Sequence, residues 1–447
     1  MNVPVFSARP SALVLALVAA FSSSLTSNVF AQPYSLPPTT VTATRFAEPA
    51  QALPFGVSVV TADDISASGA STINEALMRV LGIAGRQDFY GGGEYTLDLR
   101  GFGGTSDNNQ VVIVDGLRLT EADLGGTRLS GIPIESVERI EVIRGSGAVL
   151  YGEGATGGVI VVTTKAGVGK ARANSASVYG AIGSFGLREA RANAAVSGGG
   201  FALDISAQKR KADNYRDRSA SGLEALSATG QWSNDWLRVG VRGAYDDLDA
   251  QLPGALTAAQ YAANPRQSSK PADQASIRNQ RLSAFAQADL GGWQLSADAG
   301  TREKHLRSVN SGFAYDYDVD TTSYTINARN ESKLGGLANV LLLGASHERW
   351  EREVIGAFGS TATQTSRAFY AKDDVTLSTS TRISGGLGTE RIVKENTSAA
   401  AGISDRLNAW ELGVSHPVTS SLTAYARVGR SYRLANADEF SFTSLGA

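Results

Sequence analysis

Residues 151–165 read YGEGATGGVIVVTTK, and the fold turns on the residues after the glycines. Gly152-x-Gly154-x-x-Gly157 has the spacing of a dinucleotide-binding fingerprint. That fingerprint needs a helix directly after it, because the unpaired N–H groups of a helix N-terminus hold the pyrophosphate. Here the chain continues Val159-Ile160-Val161-Val162-Thr163-Thr164. Six consecutive β-branched residues lose side-chain freedom in a helix and suit a buried strand. The run 138–150 ahead also reads as strand, so the glycines join strand to strand and no helix dipole faces a phosphate. The glycines then serve tight turns and close backbone contact.

Composition narrows the classes further. The chain has 447 residues, no Cys, three His and a formal charge of −2. Absence of Cys excludes a disulfide framework, a thiol nucleophile and Cys-based zinc sites. His305, His347 and His416 are scattered, so no His-rich metal site is expected, nor any cofactor. The balanced charge carries no nucleic-acid signal.

The N-terminus reads as a signal peptide over residues 1–31. Arg9 is followed by the short apolar run ALVLALVAAF (12–21), and Val29-Phe30-Ala31 ends in a small residue ahead of Gln32. The run is too short to span a bilayer as a helix. No later stretch offers a spanning helix, whereas a membrane β-barrel needs only every second residue apolar.

Residues 50–170 read as a compact α/β piece. Strand-like runs lie at 57–60, 95–100, 111–114, 137–143 and 159–164. A helix is expected over 72–80 with Ile73, Leu77 and Val80 on one side, and Thr61 can cap a turn led by Asp63-Asp64. Over 171–447 period-two alternation takes over. Leu237, Val239, Val241 and Tyr245 oppose Arg238, Gly240 and Arg242, and Leu295, Ala297 and Ala299 oppose Gln294, Ser296 and Asp298. Leu422, Ala424, Ala426 and Val428 likewise oppose Thr423, Tyr425 and Arg427. Arginine on an inner face is costly in a dry core and natural in a wet lumen, which favours a membrane barrel over a soluble sandwich.

Connections alternate in length. Short turns are expected at Gly199-Gly200, Ser233-Asn234-Asp235, Gly291-Gly292, Gly335-Gly336 and Ser378-Thr379-Ser380, with long polar loops at 249–278 and 308–320. Trp236 and Trp293 come just after short turns, where an interfacial aromatic girdle would lie. The count is about thirteen strands. Asp316-x-Asp318-x-Asp320 begins like an EF-hand, but Thr321 and Asn327 replace the required Gly and Glu. Those acids, and Asp246, Asp247 and Asp249, read as solvated loops.

The stretch IPIESVERIEVIRGSGAVLYGEGATGGVIVVTTK (132–165), with VVIVDGLRLT (111–120) and LDLRGFG (97–103), resembles the plug signature of TonB-dependent outer-membrane receptors. Val161 stands where many family members carry Asn. The resemblance implies a transmembrane antiparallel β-barrel, 22-stranded in the family, around an N-terminal α/β plug domain. It places Arg100, Gly101, Asp115, Gly116, Glu138, Glu141, Arg144, Gly145, Tyr151, Gly152, Gly157 and Gly158 in the plug signature. Arg100, Glu138, Glu141 and Arg144 are implied to face wall charges.

In the leader, 32–49, TTVTAT (Thr39, Thr40, Val41, Thr42, Ala43, Thr44) resembles a TonB box. A β-prone segment of this kind suits strand addition to a partner's sheet edge. Few residues separate the cleavage site from the box, so no extra signalling domain is expected there. The implied partners are TonB with ExbB and ExbD, outer-membrane lipid, and a ferric siderophore, with vitamin B12 as the alternative. Apex candidates for ligand contact are Phe89, Tyr90, Tyr95, Phe102, Asn108 and Asn109. No enzyme activity is expected, and a passive porin is disfavoured by the plug motifs. SYRLANADEF (431–440) resembles a landmark from the middle of family barrels, so a piece of a longer wall is expected.

Overall fold

The structure is a computed structural model that describes residues 40–42, 44–50, 53–88, 90–168, 173–356, 359–399, 402–419 and 422–442. The segment 1–31, read as a signal peptide, and residues 32–39 and 43 of the leader lie outside the described residues.

The β-branched run sits at the centre of the plug. Gly158–Thr164 is a strand, not a helix, and all but its last residue are buried. It belongs to a five-stranded sheet in the order Val57–Thr61, Val137–Arg144, Gly158–Thr164, Gln110–Val114, Leu117–Arg118. Its pairing with Gln110–Val114 is parallel and that with Val137–Arg144 antiparallel. Both faces are covered, which explains an unbroken apolar run rather than alternation. Ile160 and Val162 pack with Ile73 and Leu77, while Val159 and Val161 pack with Val41, Phe55 and Tyr151 and with Leu342 of the wall.

The expected strand 138–150 is shorter. It ends at Arg144; Gly145 takes φ 117°, and one helical turn, Ala148–Tyr151, precedes the glycines. The two expected helical pieces form as Ala62–Ser68 and Ile73–Leu81. Thr61 and Asp64 cap the first reciprocally, side chain to backbone N–H in each direction. Thr72 caps the second by accepting the Glu75 N–H.

Residues 175–430 build the wall. Thirteen strands succeed one another in linear antiparallel order from Ser175–Ile182 to Leu422–Arg430, and a two-residue strand, Phe313–Ala314, lies off that path. Wall strands as far apart as Arg188–Gly198 and Arg382–Asn396 both touch the plug, so the sheet curls around it. The alternation sorts as polar in, apolar out. Arg238, Lys304, Arg352 and Lys372 are buried toward the lumen, whereas Ile326 is 58% and Leu387 68% exposed on the outside. In lipid these outer side chains are solvated by acyl chains rather than by water.

The turns at Gly199-Gly200, Gly291-Gly292 and Gly335-Gly336 have positive φ at both residues, 57–87°. That backbone matches strand twist and needs glycine. Two loop expectations are corrected. The connection 249–278 narrows to 252–273 and contains the capped helix Ala258–Ala263. The expected loop 308–320 is almost entirely sheet, between strands Trp293–Asn310 and Asp316–Leu334. Asp316, Asp318 and Asp320 are therefore strand residues, and Asp318 accepts from Arg307 at 2.7 Å and meets His305 at 2.9 Å. Asp246, Asp247 and Asp249 also lie in a strand, Leu237–Gln251. Asp246 is buried, not solvated.

Candidate functional site

The leader folds onto the plug. Thr40–Val41 pairs antiparallel with Glu48–Pro49, closing a hairpin. Val41 is fully buried. The Thr42 N–H donates to both oxygens of the Glu141 carboxylate, at 2.9 and 2.8 Å, and the Thr42 hydroxyl donates at 3.1 Å. Arg139 donates to the same carboxylate at 2.6 Å and to the Thr42 hydroxyl at 3.1 Å. Arg139 and Glu141 share a strand face at period two, so one strand supplies both halves of the clasp. Thr44 is buried and donates to the Phe46 carbonyl. Arg45 adopts φ 76°, donates to the Leu150 carbonyl at 2.7 Å and stacks 4.1 Å from the Tyr151 ring centroid. Glu48 accepts from wall Arg382 at 3.0 Å, with Arg329 at 4.0 Å. Thr39 and Ala43 lie outside the described residues.

An ionic seam joins plug to wall, through other residues than those expected. Glu121 accepts two bonds from Arg302 (2.6 and 3.0 Å), one from Lys304 (3.3 Å) and one from the Trp350 indole (3.1 Å). Burial alone would raise its pKa, but the two cations outweigh burial and hold the carboxyl down to about 2. Asp123 accepts from Arg352 at 2.9 Å, Glu135 from Arg191 at 3.3 Å and Glu153 from Lys394 at 3.4 Å. Plug Arg128 lies 3.8 Å from wall Asp246, and plug Asp115 lies 3.9 Å from wall Arg242. Seven plug or leader charges, counting Glu48, thus meet opposite charges on the wall.

Of the four charges expected in that seam, Glu141 holds the leader instead. Arg100 and Arg144 are exposed, and Arg144 donates only weakly to the Leu81 carbonyl (3.4 Å). Glu138 is the extra residue of a β-bulge, since Val137 pairs Thr164 and Arg139 pairs Thr163. The bulge explains how Glu138 and Arg139 can be adjacent charged residues while Arg139 keeps the face it shares with Glu141. Sequence reasoning missed Glu48, Glu121, Asp123, Glu135 and Glu153. Their only local signal is an acid in a polar loop, and the partner is fixed by wall register.

The remaining signature residues shape the backbone. Asp115, at φ 47°, accepts the Thr164 N–H (2.9 Å) and hydroxyl (2.6 Å), and Gly116 comes next at φ 94°. Asp98 gathers the N–H groups of Arg100, Gly101, Phe102 and Gly103. Tyr151 is buried. Gly152 takes φ 71°, and a Cβ at Gly157 would stand 2.7 Å from the Asn109 carbonyl. Gly158 abuts the Ile143 carbonyl.

The apex candidates divide. Tyr90 packs against Ala250, Leu252 and Ala275 of the wall side, and Gly92 abuts Leu248. Tyr95 is half-buried in strand Tyr95–Asp98. Asn109 is buried, donates to the Thr105 carbonyl and accepts the Thr156 hydroxyl. Asn108 donates to the Asp123 carbonyl at 2.7 Å, and Phe102 is exposed. Phe89 lies outside the described residues. Among the described residues no group of three or more His, Cys, Asp or Glu side chains is arranged to hold a metal.

The description "TonB-dependent Receptor Plug Domain" matches residues 49–159, which contain four strands of the five-stranded sheet and the start of Gly158–Thr164. Residues 49–159 thus match the plug domain of TonB-dependent receptors. Among curated relatives of this chain, the vitamin B12 transporter BtuB of Photobacterium profundum is 26% identical over 406 residues, 88% of this chain and 61% of that one. BtuB of Vibrio cholerae is 36% identical over 149 residues, 33% of this chain and 23% of that one. The chain therefore spans about three fifths of the length of the first of these relatives. Among solved structures, the unliganded ferric citrate transporter FecA superposes with TM-score 0.75 at 18% identity, covering 88% of this chain and 65% of that one. The ferric-catecholate import receptor Fiu of E. coli K12 gives 0.72 at 14% identity, covering 89% and 73%. At these identities the superpositions speak for the plug-in-barrel fold. The family comprises transporters and receptors rather than enzymes.

Proposed function

We propose that this chain carries out TonB-dependent import of a scarce ligand across the outer membrane of a Gram-negative bacterium, a ferric siderophore first. Residues 1–31 direct export, 32–49 carry the box, 50–170 form the plug and 171–447 the wall. The observation that carries this reading is the latched leader: a β-prone segment clasped by Glu141 and Arg139 on a plug held to the lumen by ion pairs. TonB, driven through ExbB and ExbD, adds its strand edge to 39–44 and pulls. The plug shifts, the wall keeps its lipid contacts, and the ligand passes without bond chemistry.

The seam sets the energetics. Exposed pairs separate at modest cost, but Glu121, Lys304 and Arg352 are buried, and parting a buried pair costs about 3–5 kcal/mol unless water enters. An energised pull fits that cost better than thermal motion does. Asn108, beside the outward loop 121–125, is the apex residue best placed to report ligand arrival.

Cobalamin is the second reading, favoured by the names of the sequence relatives. The test is uptake of labelled ferric citrate and labelled cyanocobalamin by cells with and without TonB. Uptake of either that needs TonB supports import. Uptake indifferent to TonB supports a passive porin and overturns this reading.

A further inference from the structure

Beyond the wall strand Leu422–Arg430 the described residues 431–442 leave the sheet. Residues 431–442 run across the plug, at the end of the wall opposite the short turns, and finish in the helix Ala437–Phe442. Two plug loops lie beneath them. In the loop at 152–154 the Gly154 N–H donates to the Tyr432 carbonyl (3.4 Å), and the Glu153 carboxylate accepts the Leu434 N–H (3.1 Å). In the loop at 121–124 the Ala122 carbonyl accepts the Ala437 N–H (3.0 Å), and the Leu124 N–H donates to the Asp438 carboxylate (2.9 Å).

The exchange is reciprocal, and a wall cation backs each half. Glu153 of the plug caps an amide of the segment while Lys394 holds the same carboxylate. Asp438 of the segment caps an amide of the plug while Arg352 holds it at 2.7 and 3.1 Å. Arg352 also donates to plug Asp123, so one guanidinium joins wall, plug and segment. Lys394 and Asn396 of the wall donate to the carbonyls of Ala435 and Ala437. Phe440 is buried against the cluster that contains Trp350 and Tyr317. The Leu434, Ala437 and Leu124 amides make these bonds only while the segment stays down, and lifting it also takes the Asp438 carboxylate off Arg352.

We propose that residues 431–442 are a strap that ties the outward loops of the plug to the wall, and that the plug cannot shift until the strap lifts. The gating part rests on the import reading; the tie itself does not. The strap is on the face a ligand would reach first, and the leader is on the other, so lifting the strap is the step that arrival of a ligand can perform.

The test uses the full chain in detergent, read by amide hydrogen exchange. In Asp438→Asn, exchange over 122–124 and 434–437 rises together, by at least about tenfold, while 110–114 stays protected. Asn396→Ala, which touches no plug residue, gives the same joint rise. An oxidised Ala122→Cys/Ala437→Cys pair, with the bond verified by mass, slows both segments. A rise confined to 434–437, or no slowing in the oxidised pair, overturns the tie. In cells that take up labelled ferric citrate or cyanocobalamin, the oxidised pair binds but does not import, and reductant restores import; full import by the oxidised pair overturns the gate. Absence of uptake in the parent chain counts against the import reading alone, because the exchange results need no ligand.

Discussion

Glu141 concentrates the leader's attachment in one carboxylate, which accepts from the Thr42 backbone, the Thr42 hydroxyl and Arg139. Bonds to a charged acceptor are worth about 1.5–3 kcal/mol each. Glu141→Ala is therefore expected to free the leader: a spin label at Thr42 becomes mobile while plug exchange at 158–164 is unchanged. An immobile label in that variant would sink the latch. Asp107 behaves differently. Burial, with Glu94 nearby, raises its carboxyl to about 7. A folded pKa above the unfolded one favours folding below the unfolded value, and that advantage is lost as pH rises through the folded one. Asp107 should then weaken the plug increasingly as pH rises from about 4 toward 7, with the penalty levelling off above that. Asp107→Asn is expected to raise the melting temperature more at pH 8 than at pH 5, removing up to about 4 kcal/mol of penalty at pH 8. An equal rise at both pH values would count against a neutral buried Asp107.

At the scale of elements, the strand Gly158–Thr164 was legible because six β-branched residues leave little choice. The helix Ile73–Leu81 was legible from its apolar spacing, though Thr72, expected inside it, is its cap. The end of Val137–Arg144 was not legible, because Ala148-Val149-Leu150-Tyr151 is apolar in either conformation and only tertiary packing makes it a helical turn. The bulge at Glu138 was hidden as well, since an unpaired strand residue leaves no mark in composition. Gly157 shows what an element can demand: its N–H donates to the Asn109 carbonyl at 2.6 Å, and an added Cβ would crowd that carbonyl and the Phe102 ring. Gly157→Ala should cost roughly 1–3 kcal/mol, read as a lower melting temperature with loss of ordered structure around 145–158. A neutral result would mean that the segments at Asn109 and Gly157 can part without penalty.

For the whole molecule, wall and plug were each readable, and their mutual fit was not. Alternation gave inner and outer faces, and the Gly-Gly turns gave strand order. The seam depends on register summed over many strands, so Glu121 meeting Arg302 had no local signature. That seam makes acid tolerance a global property. The Glu121 carboxyl is depressed to about 2, so the stability it lends is present above the unfolded value near 4.3 and fades as pH falls through 2. Glu121→Gln should therefore loosen the plug at pH 7 and make little difference near pH 2, measured as plug exchange at both. The outer surface has its own test. Ile326→Arg places charge on the lipid face and should cost about 2–4 kcal/mol near mid-bilayer, reducing the fraction inserted into liposomes. Unchanged insertion would argue that this face does not meet lipid.

Pro49 sits opposite Thr40 in the leader hairpin. A proline has no N–H, and an antiparallel pair with a proline member is of the non-hydrogen-bonded kind, so the donor that Pro49 lacks would have pointed away from Thr40, out of the hairpin. The outer edge of Glu48–Pro49 therefore offers a visiting strand one donor fewer than an ordinary edge, which leaves the edge along Thr40–Val41 the better template. Replacing Pro49 by alanine would restore that donor and make the two edges compete.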